Sequence, residues 1–161
     1  MSLQPLPSSD VKAPVAPARS ILIVEDDEDA VLLIQRLIKR TGMNGPVDVV
    51  NDGEQAIDFL QKRVADSSLE LPGLLLLDLK LPRTDGFEVL TWIHGQPALK
   101  NLQIVVMSSS TRPQDMQRAE SLGATVYMEK YPSDADFVAR IRKTSYLFIA
   151  QEIKNYLNPS S

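Results

Sequence analysis

The stretch ILIVEDD, residues 21–27, decides the fold, because four apolar residues in a row end abruptly in three acids. A short continuous apolar run of this kind predicts a strand that is buried on both faces of a sheet. Val31, Ile34 and Leu37 then recur at helical spacing, and Gly42 can end that helix. The chain is therefore predicted to open with a buried strand, an acidic turn and a helix.

The same alternation of apolar runs and helical periods repeats along the chain. It predicts further strands at Val47–Val50, Leu74–Leu77, Leu102–Met107 and Thr125–Met128, and further helices at Glu54–Gln61, Phe87–His94, Pro113–Ser121 and from Ser133 to about Leu157. A long polar loop is predicted at residues 63–72. Five buried strands alternating with five helices predict an α/β protein, a flavodoxin-like doubly wound parallel sheet of strand order 2-1-3-4-5.

A length of 161 residues favours one domain. Residues 1–19 are rich in Pro, Ser, Ala and Gln, and this composition predicts a disordered tail. The domain itself is expected over residues 20–157, with a short tail at residues 158–161.

The composition excludes several classes of protein. A net charge of −4 argues against a nucleic-acid binder, whose phosphate contacts need a basic face. The chain has no cysteine, which excludes disulfides and thiolate metal sites. Apolar runs such as Leu74–Leu77 are too short to span a bilayer, and the N-terminus lacks the pattern of a signal peptide. We therefore expect a cytoplasmic protein that binds neither nucleic acid nor a membrane.

The residues that follow the strands carry the candidate chemistry, because ligands of such sheets bind beyond the carboxyl ends of the strands. They are Glu25, Asp26, Asp78, Ser108 and Lys130. Carboxylates about 4 Å apart repel by roughly 4 kcal/mol per pair at an effective dielectric near 20, so three of them need a cation. Hard oxygen ligands with room for water suit Mg²⁺. An aspartate can also act as a nucleophile on phosphorus, and the charge of a phosphoryl group calls for a cation and a hydroxyl nearby.

Four motifs in order carry a resemblance to a known family. They are ILIVEDD (residues 21–27), LLLLDLKLP (74–82) with DG (85–86), VVMS (105–108) and GATVYMEK (123–130). Together they resemble the receiver domains of two-component response regulators, and the resemblance covers about residues 20–157.

The resemblance implies a phosphoryl site with a metal ion. Asp78 would be the phosphoacceptor. Glu25 and Asp26 would be the acidic pair, with Asp26 the direct Mg²⁺ ligand, and the backbone carbonyl of Lys80 would be another ligand. Such a protein is a signalling module that is phosphorylated by a histidine kinase, and we do not expect a classical enzyme.

The resemblance also implies a conformational switch. Lys130 would pair with the phosphoryl oxygens, and Ser108 would hydrogen-bond the phosphoryl group and move towards it. Tyr127 would change rotamer as Ser108 moves. Because only Asn158–Ser161 follow the last predicted helix, we expect the output to come from binding an unknown downstream protein, without an attached output domain.

One departure from the family pattern bears on the geometry of the loop after Lys130. Many receiver domains have a proline with a cis peptide bond directly after the lysine, whereas here Tyr131 follows Lys130 and proline comes at Pro132. The long loop at residues 63–72 and the lack of a proline directly after Lys130 are similar to single-domain regulators that partner phytochrome-type histidine kinases. A homodimer through the fourth and fifth helices is a further expectation, because receiver dimers commonly use them.

Plainer interpretations stay open for the individual residues. Asp78 could be a turn former, Lys130 a surface charge, and Tyr127 a residue of the core. The whole chain could also be a pseudo-receiver that binds partners without phosphorylation. A dehalogenase-like phosphatase would need an acid two residues after the nucleophile, where this chain has Lys80. A flavin carrier would need a phosphate-binding loop after the first strand, where this chain is acidic.

Overall fold

The computed structural model describes residues 19–157, without the side chains of residues 145–156. The predicted tails at residues 1–19 and 158–161 therefore lie outside the described residues, apart from Arg19. The described part forms one parallel sheet of strand order β2-β1-β3-β4-β5. Its strands are β1 (Ile21–Val24), β2 (Val47–Val50), β3 (Leu74–Asp78), β4 (Gln103–Ser108) and β5 (Val126–Glu129).

The helices alternate with these strands along the chain. They are α1 (Glu28–Thr41), α2 (Gly53–Ala65), α3 (Gly86–His94), α4 (Pro113–Ser121) and α5 (Asp134–Leu157), and a 3-10 turn lies at Pro97–Leu99. The predicted fold class, strand order and five helices are confirmed over residues 19–157.

The core forms two layers because side chains alternate between the faces of a strand. On one face, Leu22 and Val24 belong to a buried cluster with residues of α2, α3 and α4. On the other face, Ile21 and Ile23 belong to a cluster with residues of α1 and α5. All four side chains of β1 are fully buried, which explains the continuous apolar run that the sequence shows there.

The register brings the carboxyl ends of the strands to one edge. Val24 lies opposite Leu77 in β3, Asp78 lies opposite Met107 in β4, and Ser108 lies opposite Glu129 in β5. The structure places β4 and β5 one residue later than predicted, since backbone pairing continues past the apolar run. The polar residues after the strands are thus held at the same edge of the sheet.

Helix α2 is longer than the sequence pattern predicts. It runs to Ala65, so the prediction of a loop over residues 63–72 was wrong for its first three residues. Val64 packs against the core, and the guanidinium of Arg63 lies 3.6 Å from the ring centre of Phe59, one turn earlier. These contacts extend the helix through residues whose polarity had suggested a loop.

The ends of the helices follow capping rules. Asp27 caps α1 by accepting from two backbone N–H groups, and Gly42 ends this helix with a left-handed φ of 83°. The hydroxyl of Ser133 accepts from the backbone N–H of Asp136 at the start of α5, as the sequence predicts. None of the helices within residues 19–157 has the length and hydropathy to span a bilayer.

Candidate functional site

Three carboxylates meet at the carboxyl edge of the sheet. Glu25 and Asp26 directly follow β1, and Asp78 ends the neighbouring strand β3. One oxygen from each carboxylate lies within 4.8 Å of the others. Glu25 and Asp78 are 1% and 4% exposed, whereas Asp26 is exposed to solvent. The cluster predicted from the strand ends is therefore present, with one open side.

Lys130 joins two of these acids. It follows β5, and its Nζ lies 2.9 Å from Asp78 Oδ2 and 2.9 Å from Glu25 Oε2. Its backbone N–H donates to the carbonyl of Ser108 at 2.8 Å, which fixes the start of the loop against β4. One ammonium group cannot balance three carboxylates, so the site keeps an excess of negative charge.

Burial and pairing change the titration of two groups in the site. Burial raises the pKa of the Glu25 carboxyl, and the neighbouring Asp78 adds to this, although the hydrogen bond from Lys130 opposes it. Burial alone would lower the pKa of Lys130, but hydrogen bonds to Asp78 and Glu25 outweigh burial and raise it. Lys130 is therefore a cation at neutral pH.

The second oxygen of Asp78 is also bonded. Asp78 Oδ1 accepts from the backbone N–H of Lys80 at 3.1 Å, while the side chain of Lys80 is exposed. The carboxylate is thus oriented from two sides, by the ammonium of Lys130 and by the backbone of the loop after β3. This orientation could not be read from the sequence, in which Lys80 suggested only a metal-binding carbonyl.

The predicted switch residues lie on the β4 side of the site. Ser108 is buried and lies one residue beyond Met107, the register partner of Asp78. Its Oγ accepts from the backbone N–H of Ser110 at 3.1 Å. The hydroxyl of Tyr127 donates to the carbonyl of Ser110 at 2.9 Å, so Tyr127 and Ser108 are linked through Ser110.

Ser110 is a residue that sequence reasoning missed. Its hydroxyl donates to Asp115 Oδ2 of α4 at 2.5 Å, so it connects the end of β4, the ring of Tyr127 and helix α4. Within the run of three serines from Ser108 to Ser110, no spacing or composition signal sets it apart. The connection depends on how α4 folds back over the strand.

The loop after Lys130 has an unusual backbone. All peptide bonds within residues 19–157 are trans, and Tyr131 instead turns the chain with a left-handed φ of 61°. A cavity of about 540 Å³ lies beside this loop, and Ser110, Tyr127 and Asp136 are among the residues that line it. Without a proline directly after Lys130, the chain therefore turns at Tyr131 and keeps trans peptide bonds.

The donor set fits a hard divalent cation. Three carboxylates offer oxygen ligands, and the exposure of Asp26 leaves room for the waters that Mg²⁺ retains. The excess negative charge gives a cation a favourable field. Within the described part of the chain, this group is the one that brings three metal-binding side chains together.

Comparisons with known proteins agree with this architecture. The family model for the response regulator receiver domain matches residues 21–142. The probable methanogenesis regulatory protein FilR2 of Methanothrix harundinacea is 35% identical over 136 residues, which cover 84% of this chain and 81% of that protein. The response regulator Rcp1 of Synechocystis is 34% identical over 114 residues, which cover 71% of this chain and 78% of Rcp1.

Solved structures give the same result. The Mn(2+)-bound form of Rcp1 matches with a TM-score of 0.66 and 31% identity, covering 78% of this chain and 90% of Rcp1. The bacteriophytochrome response regulator RtBRR matches with a TM-score of 0.68 and 33% identity, covering 78% of this chain and 77% of RtBRR. The chain described above therefore belongs to the response regulator receiver domain family of two-component signalling.

Proposed function

We propose that Asp78 accepts a phosphoryl group from a histidine kinase in a Mg²⁺-dependent reaction. The observation that carries this proposal is the position of Asp78, buried at the end of β3 between two further carboxylates and the ammonium of Lys130. In the reaction, the N–P bond of a phosphohistidine breaks and leaves its electron pair on nitrogen. A carboxylate oxygen of Asp78 forms the new O–P bond.

The neighbouring groups suit this transfer. Lys130 is held 2.9 Å from Asp78 Oδ2, close enough to turn its ammonium towards the equatorial oxygens of an incoming phosphoryl group. The backbone N–H of Lys80 holds the other oxygen of the carboxylate, so the nucleophile is oriented before the donor arrives. The roles proposed for Asp78 and Lys130 therefore need little rearrangement.

Glu25, Asp26, Asp78 and the backbone carbonyl of Lys80 would hold the metal ion. When bound, Mg²⁺ neutralises the charge that three carboxylates and a phosphoryl group would otherwise bring together. Asp26 is the exposed member of the group and would be the direct ligand among the two acids after β1. Glu25 is buried against Lys130 and would keep that lysine in place.

The switch would pass through Ser108 and Tyr127. A phosphoryl group on Asp78 would attract the hydroxyl of Ser108, which now accepts from the backbone N–H of Ser110. Movement of this segment would break the hydrogen bond from Tyr127 to Ser110 and allow the ring to change rotamer. A local charge would thus alter the surface formed by α4 and β5.

The partners follow from this proposal. The histidine kinase would be of the phytochrome type, a proposal supported by the similarity to RtBRR, which is described as a bacteriophytochrome response regulator. Signalling would proceed by binding a downstream protein in the cytoplasm. The receiver domain would span residues 20–157, with tails at residues 1–19 and 158–161.

A homodimer through α4 and α5 is part of the same proposal. It rests on the resemblance to other receiver domains, because the side chains of residues 145–156 in α5 lie outside those described.

A phosphorylation-independent interaction module is the alternative, and it is not favoured. A pseudo-receiver has no need for a buried aspartate oriented by a lysine, or for a carboxylate cluster with one open side. The site described here retains all of these groups.

Intact mass tests the proposal directly. Incubation with Mg²⁺ and acetyl phosphate should add one phosphoryl group, and the Asp78→Asn variant should gain none. Labelling should also fail when Mg²⁺ is omitted or when Asp26 is changed to Asn. Persistent labelling of the Asp78→Asn variant would show that another residue is the acceptor.

A further inference from the structure

A turn made of Asp52, the cap of α2, and the first two helical residues Gly53 and Glu54 lies against the loop between β3 and α3. A Cβ atom on Gly53 would lie 2.0 Å from the backbone carbonyl oxygen of Thr84 and 2.8 Å from its carbon. No side chain fits this space, so the turn and the loop touch backbone to backbone. The loop in question, residues 79–85, contains Lys80 and begins directly after Asp78.

Arg83 makes a second contact between the same two segments. Its Nη1 lies 3.9 Å from Asp52 Oδ2 and 3.7 Å from Glu54 Oε2, on either side of Gly53. Asp52 is 5% exposed and accepts from the backbone N–H of Gln55, so it offers a rigid partner. Arg83 has a left-handed φ of 63°, which costs free energy for a residue with a side chain and persists because its surroundings hold it.

The far end of the loop is held close to Asp78. A Cβ atom on Gly86 would lie 2.5 Å from the carbonyl oxygen of Asp78 and 2.5 Å from the Cα of Leu79. The backbone N–H of Gly86 donates to the carbonyl of Leu79 at 3.0 Å. The loop is therefore closed on itself between Leu79 and Gly86 and is in contact with the turn at Thr84. Lys80 lies between Leu79 and Thr84.

We propose that the Asp52-Gly53-Glu54 turn is a positioning element that sets the affinity of the metal site through the loop holding Lys80. Lys80 is the residue whose N–H orients Asp78, and its carbonyl is a proposed ligand. A displacement of Thr84 away from the turn moves the loop that carries both groups. This inference rests on the proposed function, since it concerns the same metal site.

A purely structural role of the turn predicts something different. If Gly53 only allowed compact packing, a side chain there would lower the stability of the fold and leave the metal affinity of the folded protein unchanged. If the turn positions the loop, a side chain at Gly53 should lower the metal affinity as well as the stability, because the metal ligands move even in molecules that remain folded. The affinity for a metal ion, measured without any phosphoryl donor, distinguishes these two roles.

The test is a titration with Mn²⁺ followed by the electron paramagnetic resonance signal of the unbound ion. The Gly53→Ala variant should bind Mn²⁺ about tenfold more weakly, as is typical when groups that orient metal ligands are lost. Gly42→Ala is the matched control, because Gly42 has a left-handed φ of 83° and open space around its Cβ position. This control should lose stability through backbone strain but bind Mn²⁺ like the unsubstituted protein.

A surface variant keeps the test decisive if Gly53→Ala does not fold. Arg83 is exposed, and Arg83→Gln removes both ion pairs without touching the core. Loss of a positive charge at this edge would by itself strengthen cation binding. A fall in Mn²⁺ affinity of roughly twofold to fivefold, the range that exposed ion pairs support, can therefore come only from lost positioning.

The outcomes separate this inference from the proposed function. If the unsubstituted protein binds Mn²⁺ and Asp26→Asn weakens binding, the metal site is correct. Unchanged affinity in Gly53→Ala, or in Arg83→Gln if the first variant does not fold, then overturns the positioning role alone. If Asp26→Asn binds Mn²⁺ as the unsubstituted protein does, the metal site itself is wrong and the inference is overturned with it.

Discussion

Helices α1 and α4 both border the site, but they are anchored in different ways. Helix α1 has five buried residues, Ala30, Ile34, Leu37, Ile38 and Thr41, and a side-chain cap at its start. Helix α4 has one buried residue, Ala119, and no side-chain cap. Since a fully buried large apolar side chain contributes about 1.5–3 kcal/mol, α1 is held far more firmly to the sheet.

Polar contacts replace apolar burial in α4. Asp115 accepts from Ser110 at 2.5 Å and lies 3.4 Å from Arg112, and Arg118 lies 4.1 Å from the ring centre of Phe87. The hydrogen bond and the contact with Phe87 contribute about 1 kcal/mol each, and the exposed ion pair contributes less. The two contacts of Asp115 depend on the position of the β4–α4 loop. The difference suggests that a charge placed on Asp78 leaves α1 in place and moves α4, whose contacts begin two residues after Ser108.

Among the substitutions considered, removal of the Lys130 ammonium should have the largest effect on the free energy of unfolding. Lys130→Met leaves Glu25 and Asp78 buried without a cation, and breaking a buried pair should lower the free energy of unfolding by about 3 kcal/mol. Urea denaturation without Mg²⁺ measures this loss, and added Mg²⁺ should recover part of it. Lys80→Met is the matched control, since this lysine lies at the same edge with an exposed side chain. Equal stability of the two variants would mean that the ion pairs contribute nothing.

The Asp26→Asn substitution should change the free energy of unfolding in the opposite direction when Mg²⁺ is absent. Asp26 is exposed and brings a third negative charge to within 4.8 Å of the two buried acids. Without Mg²⁺, removal of that charge should raise the free energy of unfolding by about 1 kcal/mol, an estimate reduced for solvent screening. With saturating Mg²⁺, the unsubstituted protein should be the more stable of the two. Plots of the free energy of unfolding against Mg²⁺ concentration should therefore cross for the two proteins. Parallel curves would argue against a metal ligand at this position.

Much of the fold and the acidic cluster could be predicted from the sequence because both follow from simple patterns. Apolar runs mark strands buried on two faces, and the parallel arrangement then brings Glu25, Asp26 and Asp78 to one edge. The lysine after β5 follows from the same logic. The roles of these residues stay proposals, because proximity alone does not identify a phosphoacceptor.

Contacts between loops could not be predicted in this way. The closeness of Gly53 to Thr84 depends on how the start of α2 packs against the loop after β3, and the local sequence of Asp52 and Gly53 indicates only a turn. The position of Ser110 between Tyr127 and Asp115 likewise depends on the path of the chain after β4. The length of α2 was missed because polar residues such as Lys62 and Arg63 resemble a loop in the sequence, whereas Arg63 packs over the ring of Phe59.

The Ser110→Ala substitution should weaken the attachment of α4 and leave that of α1 unchanged. It removes the hydrogen bond to Asp115, so amide hydrogen exchange in α4 should become faster, by an amount that corresponds to about 1 kcal/mol. Exchange in α1 should not change. Ser121→Ala is the control, because the Ser121 hydroxyl donates to the Arg118 carbonyl within the same helix and makes no link to the loop. Equal acceleration in both helices would contradict the idea that α4 is held separately.

The pH dependence of stability should show the smallest effect, and it concerns the α1 side of the site. Burial raises the pKa of Glu25, so without metal the folded protein binds a proton there more tightly than the unfolded chain, whose glutamates have a pKa of about 4.3. Stability from this group is therefore present at low pH and is lost as the pH rises through the folded pKa.

The Glu25→Gln variant tests this dependence, because its side chain can still accept a hydrogen bond from Lys130 but does not titrate. In EDTA, urea denaturation at a series of pH values should show the unsubstituted protein losing stability relative to this variant as the pH rises above about 4. A gain over the same range would mean that pairing with Lys130 outweighs burial and that the charged form of Glu25 is favoured even without a metal ion.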